Sequence, residues 1–284
     1  MSAQSTNPLS KYFRQPAIHL TLPSGGKYWP EGSLEMTMSG QLEIYPMTTK
    51  DEITIRTPDA LLNGSSTVSL IQSCVPQIKD AWKAPTIDVD ALIIAIRIAS
   101  YGQNMDIDTV CINQECKHEN RHSLDLTMIL DSVKSPNYNR TIDIKGIKIK
   151  LKPVPYFENN KSKMLVFEQD RALSIISDES LTDEAKLNSF QEHLNKMIDI
   201  NNGLMSAATE YIEVDDGIKV SNQKHISEFY ENCDTAIVRE VKARFAENAK
   251  STELPNPRMK CEECDTEYPV ALNFDYANFF VNAS

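Results

Sequence analysis

What the chain lacks narrows its chemistry. No apolar run approaches the ~18 residues that a membrane-spanning helix needs. The opening stretch, MSAQSTNPLSKYFRQPAI, has no apolar segment of the secretory kind. Stable membrane insertion is therefore not expected. Clustered Lys and Arg are also missing. The net charge is -11, and the longest basic stretch, KGIKIKLK (Lys145 to Lys152), alternates like one solvated strand face. Unaided binding to nucleic acid or to an anionic membrane is not expected either, because both need concentrated positive charge.

Catalytic signatures are absent as well. The chain has no H-E-x-x-H, no P-loop and no G-x-S-x-G. His118 and His122 stand four apart, but on a segment read as strand or turn, where that spacing does not converge. His19, His193 and His225 have no motif partners. The reading is of a protein that is not an enzyme. Cysteine is too sparse, at 6 in 284 residues, for a disulfide scaffold. Close pairs of thiols fit a metal in a reducing cytosol better.

Along the chain, residues 1–16 read as a flexible or partner-binding arm. AIHLTL alternates, Pro23 to Gly26 is turn chemistry, and SLEMTMSGQLEIYPM predicts a β-hairpin about Ser39-Gly40. Thr49 and Glu52 have capping-box spacing, with short helices following over about 50–62 and 65–75. DVDALIIAIRIASYGQ predicts a central buried helix, capped by Asp88 or Asp90 and ended by Gly102. Arg97 lies inside that apolar run and is expected to pair with an Asp or Glu. TIDIKGIKIKLKPVP predicts a hairpin turning at Lys145-Gly146. Helical periodicity then dominates over 156–177, 182–200, 203–213 and 222–248, with Ser180, Thr182 or Asp183, and Ser221 as boundary caps.

Two close cysteine pairs carry the clearest chemistry. Cys261-Glu-Glu-Cys264 has C-x2-C spacing, and Cys111-Ile-Asn-Gln-Glu-Cys116 has a looser C-x4-C. Their flanks repeat: CKHENRHSLDL from Cys116 aligns with CDTEYPVALNF from Cys264, with Glu119 matching Glu267 and Leu124 matching Leu272. Each copy reads as one knuckle of a zinc ribbon, a turn that supplies two thiolates. Together, Cys111, Cys116, Cys261 and Cys264 read as a tetrahedral four-sulfur set, with four unmetallated thiols as another reading. Such a set favours zinc, with iron as the alternative, and leaves no open position for chemistry. His118 is a candidate to replace Cys111 or Cys116. Cys74 and Cys233 read as small core residues.

The expected fold is α+β: a discontinuous body of short hairpins and helices with a two-knuckle, zinc-ribbon-like site, plus an inserted helical subdomain. The divisions are the arm at 1–16, the body with the first knuckle at 17–155, the helical subdomain at 156–252, and the second knuckle with a C-terminal strand at 253–284.

The order of LPSGGKYWPEGSLEMTMSGQLEIYPMTTKDE, PDALLNG, LIQSCVPQIKD, IDVDALIIAIRIASYG and the first cysteine pair resembles the T4-like bacteriophage baseplate hub family of contractile-tailed phages. The terminal CEECDTEYPVALNFDYANFF looks like the metal-binding tail of its longer members. The resemblance covers about 17–130 and 259–281 and does not reach the helical block. It implies a structural subunit of the central baseplate hub, or a factor that builds it. Its partners would be other phage tail proteins in an oligomeric assembly, formed in the host cytoplasm and placed in the virion tail baseplate. Phe274, Tyr276, Phe279 and Phe280 read either as part of the protein's own core or as interface anchors. A zinc-ribbon nucleic-acid-binding regulator is the alternative. It is opposed by Glu115, Glu119, Glu262, Glu263, Asp265 and Glu267 around the knuckles. A hydrolase acting on cell wall or protein stands behind both.

Overall fold

Alternation in AIHLTL and QLEIY yields two short strands, β1 (Ile18–Leu20) and β2 (Leu42–Ile44), in a computed structural model that describes residues 7–56, 64–163, 182–214, 217–252, 256–270 and 279–280. The strands pair antiparallel, with Leu20 opposite Leu42 and Ile18 opposite Ile44. The expected hairpin about Ser39-Gly40 does not form. Gly40 does close a turn onto the Thr37 carbonyl, but Leu34 makes its isolated bridge to Ile78 instead. Alternation assigns faces to a strand, and burial elsewhere chooses its partner.

Helix α1 (Thr49–Ile55) starts with a capping box one residue earlier than the spacing of Thr49 and Glu52 suggests. Thr48 and Asp51 form the reciprocal pair, because Asp51 is buried and also meets Arg14 at 3.4 Å. Glu52 instead accepts the Tyr101 hydroxyl at 2.9 Å. The expected extension over 57–62 lies outside the described residues. Helix α2 (Ser65–Cys74) follows Gly64, whose φ of 76° suits the left-handed region.

Helix α3 (Thr86–Tyr101) is the centre of the main core. Val89, Ala91 to Ile96 and Ile98 are all buried, and Gly102 ends the helix with φ 88°. Asp88 does not cap it. The carboxylate is buried and accepts from Ser24 N at 2.9 Å, Ser24 Oγ at 2.6 Å and Trp29 Nε1 at 2.7 Å. It thereby fastens the Pro23 to Gly26 turn to the helix, while burial pushes its pKa up. Arg97 departs from its expected ion pair. Its Nε donates to the Phe279 carbonyl at 3.2 Å and its guanidinium lies 4.7 Å from the Tyr101 ring centroid, with no Asp or Glu partner among the described residues. Phe279 and Phe280 pack into the same core, while Phe274 and Tyr276 lie outside the described residues.

Strands β3 (Asn104–Val110) and β4 (Glu119–Asp125) form a two-stranded ribbon, followed by α4 (Leu126–Ser132). The hairpin of β5 (Ile142–Ile144) and β6 (Ile147–Leu151) turns at Lys145-Gly146, with φ 50° and 81°. Residues 156–163 are helical (α5), and the expected continuation to 177 falls outside the described residues. Helix α6 (Asp183–Ala207), capped by Thr182, runs through Gly203. Of the helix read over 203–213, α6 supplies 203–207 and strand β7 (Thr209–Glu213) replaces the rest; β8 (Lys219–Val220) follows.

In β7 the alternating TEYIE finds β6, and Ile149 faces Ile212. The four-stranded sheet therefore runs β5-β6-β7-β8 across residue 156. Helices α7 (Gln223–Asn232) and α8 (Thr235–Ser251) cover it, split where 222–248 reads as one helix because Asp234 caps the second. Ile142, Ile149, Ile212, Ile226, Tyr230 and Val241 form this second core. The chain closes with β9 (Arg258–Lys260) and β10 (Glu267–Pro269). The fold is mixed α and β, and no described helix is long and apolar enough to cross a membrane.

Candidate metal centre

Both cysteine pairs sit in loops that join antiparallel strands. The β3–β4 ribbon pairs in continuous register from Asn104↔Asp125 to Val110↔Glu119, so Cys111 to His118 is the connecting loop. The β9–β10 ribbon pairs Lys260 with Glu267, so Cys261 to Thr266 is its counterpart. In each loop the first cysteine N–H donates to the carbonyl of the last loop residue at 2.9 Å: Cys111 to His118, and Cys261 to Thr266. In each, the residue after the second cysteine takes the left-handed region, Lys117 at φ 49° and Asp265 at φ 58°. The sequence repeat is thus a structural repeat. The longer first loop absorbs its extra residues between the two thiols.

The four sulfurs of Cys111, Cys116, Cys261 and Cys264 lie within 4.8 Å of one another. Two contacts cross between the loops, 3.6 Å from Cys111 to Cys264 and 3.8 Å from Cys116 to Cys261. All four are free thiols, since a disulfide would require about 2.05 Å. A tetrahedron with zinc–sulfur bonds of ~2.3 Å has sulfur–sulfur edges of about 3.8 Å. The donor set and its spacing fit a four-thiolate metal site. Cys111 and Cys261 are buried; Cys116 and Cys264 are half-buried.

Local donors polarise the set. The Thr266 hydroxyl and N–H hold the Cys264 thiol down, at about 6. At Cys261, burial pushes upward, but the Cys264 and Glu263 N–H groups and the Asn120 side chain outweigh it and hold the thiol low. Burial pushes Cys111 up. At Cys116 the His118 N–H pulls down, yet burial and the neighbouring sulfurs win and raise it to about 12. Four crowded thiols cannot all deprotonate by themselves, since each thiolate disfavours the next. A cation among them removes that conflict and displaces the protons.

His118 does not join the set. Its side chain is exposed, and the cluster is composed of the cysteines alone. Cys74 and Cys233 are elsewhere: Cys74 is buried in the main core, its thiol raised to about 12 by burial, and Cys233 packs against the second core. Three further residues escaped the sequence reading. Tyr268 is buried, and its hydroxyl lies 2.8 Å from Thr109 Oγ1, 3.1 Å from Asn120 Nδ2 and 3.3 Å from His122 Nε2. Alternation along β4 places Asn120, His122 and Leu124 on one face. A polar residue on the inward face of a strand was the available signal.

Among known proteins, the family model described as T4 bacteriophage base plate protein matches residues 15–281. No curated protein and no solved structure gives a significant match. The family match spans both cysteine loops and everything between them, and the chain belongs to the T4 bacteriophage base plate protein family.

Proposed function

We propose that this chain is a structural or assembly subunit of the central hub of a contractile-tail baseplate, acting through protein–protein contacts and carrying zinc as a structural ion. The observation that carries the reading is the family match over nearly the whole chain. The metal assignment, with Cys111, Cys116, Cys261 and Cys264 as ligands, is supported by the sulfur spacing and by the thiolate donor set. Thiolates favour zinc, with iron as the second choice. Four protein ligands close the coordination shell and leave no place for water or substrate, which fits a non-enzymatic role.

The layout proposed with this function is a discontinuous body, about 17–155 and 253–284, closed around a block at 156–252 whose core also takes β5 and β6. The ion would pin the two parts of the body together. The arm is the proposed contact with other tail proteins. From residue 7 it presents Leu9, Tyr12 and Phe13, all more than half exposed. Arg14 fastens its base through the Ser73 carbonyl at 2.7 Å and the Pro46 carbonyl at 2.8 Å. Assembly would take place in the host cytoplasm and end in the virion tail.

Two measurements test the proposal. Mass spectrometry of purified mature particles should find the chain in the baseplate, and baseplates assembled normally without this chain would overturn the role. Elemental analysis of the purified protein should find about one zinc per chain. A metal-free chain with all four thiols reactive would overturn the site.

A further inference from the structure

Asn120 stands on the inward side of β4, 2% exposed. Its Oδ1 accepts the Glu262 N–H at 2.9 Å, and its Nδ2 donates to the His118 carbonyl at 3.1 Å. A backbone N–H can only donate and a carbonyl can only accept, so these two partners fix which end of the amide is which. The orientation places Nδ2 at 3.6 Å from Cys261 Sγ, as well as 3.1 Å from the Tyr268 hydroxyl. His118 belongs to the first knuckle. Glu262 and Cys261 belong to the second, 142 and 141 residues beyond Asn120.

We infer that Asn120 is a positioning residue of the metal centre, reaching from the first knuckle to hold both the turn and one sulfur of the second. The inference rests on the proposed metal site. Two effects combine in it. Holding Glu262 N–H fixes the turn that runs from Cys261 to Cys264, and with it the separation of the two thiols it carries. Donation from Nδ2 to Cys261 Sγ spreads thiolate charge, which eases the packing of four thiolates around one dication. The second knuckle is therefore oriented by a side chain of the first as well as by the ion.

The discriminating variant is Asn120→Asp. It keeps the shape and the acceptor for Glu262 N–H, but it puts a carboxylate oxygen in place of the donor that serves Cys261 Sγ and the His118 carbonyl, so both of those bonds are lost. Tyr268→Phe is the companion: it removes the neighbouring hydroxyl and leaves the Asn120–sulfur contact. Cobalt(II) is the probe, read by thiolate-to-metal charge-transfer absorption and by competition with a chelator. Asn120→Asp should bind cobalt about 10–100-fold more weakly, the range for outer-shell partners, and Tyr268→Phe less than about threefold more weakly. Equal affinity in Asn120→Asp and the parent chain overturns this inference alone. Equal losses in both variants also overturn it, since packing would then explain the effect. A parent chain without the charge-transfer band overturns the metal site and this inference together. Should the carboxylate unfold the region, Asn120→Ser, which is neutral and smaller, is read by the same criteria.

Discussion

Removing the proposed ion tests whether metal binding holds the C-terminal ribbon in place. The cross-ribbon contacts join positions 153 and 145 residues apart. Closing a loop of that length in an otherwise open chain costs about 5 kcal/mol in chain entropy, an upper bound for the ribbon because the rest of the fold already holds much of the intervening chain. The local apolar support is thin. Besides the cysteines, the cluster at this site consists of buried Tyr268 and partly buried Val270. Burial of Tyr268 offsets about 2 kcal/mol of the cost. The remaining ~3 kcal/mol is left to the proposed ion, to Met259 of β9 packed against the main core, and to the docking of Phe279 and Phe280. Arg258 and Lys260, both exposed on β9, are trypsin sites that report opening of this ribbon. If the ion supplies most of the difference, a chelator or Cys261→Ser raises the opened fraction, and the cleavage rate there, about a hundredfold. Arg97, buried in the main core, should stay uncut under both conditions. Cleavage at Arg258 and Lys260 that changes by less than about threefold would refute the reasoning. So would simultaneous cleavage at Arg97, because the main core would then be failing as well.

Other perturbations address separate parts of the fold. Arg97→Met should change stability by no more than about 1 kcal/mol in urea unfolding, because relief from burying a guanidinium with an unpartnered Nη1 and no carboxylate among the described residues offsets the lost bond to the Phe279 carbonyl; a loss above about 2 kcal/mol would contradict this account of Arg97. Asp88→Asn should cost about 1–3 kcal/mol, since an amide cannot accept from all three donors that the carboxylate serves. The Asp88 pKa is raised in the folded state, so its contribution is fully present below the unfolded value of about 3.9 and falls as pH rises through the folded value. The stability difference between the parent chain and Asp88→Asn should shrink over that rise, and a difference that grows instead would reverse the sign of the argument. Thr48→Ala should destabilise by about 1 kcal/mol through loss of the cap, whereas Thr49→Ala should not, as thermal unfolding of the two variants would reveal. Replacing Leu9, Tyr12 and Phe13 together by Ser should leave unfolding unchanged within about 0.5 kcal/mol, because all three are more than half exposed, yet remove the chain from assembled baseplates.

Legibility in the sequence followed the range of the interactions. Lys145-Gly146, the Gly102 stop and the buried α3 were readable because each depends on neighbours a few residues away. The Thr48–Asp51 cap was missed by one position because adjacent threonines offer the same spacing twice, and only Asp51's contact with Arg14 separates them. Strand β7 was missed because a helical pattern runs up to Ala207 and the five residues after it acquire their meaning from β6.

At the candidate metal centre, the ligand candidates were legible along the chain, since two thiols on a tight turn are a local motif and their flanks repeat. Tertiary structure decided that Cys111 meets Cys264 and Cys116 meets Cys261, that His118 stays outside, and that Asn120 bridges the halves. It likewise decided that β2 pairs with β1 and that Arg97 faces a carbonyl and a ring. Short-range spacing is written into the backbone's own geometry. Which distant surfaces meet depends on how the whole chain competes to bury apolar groups while leaving its polar ones satisfied.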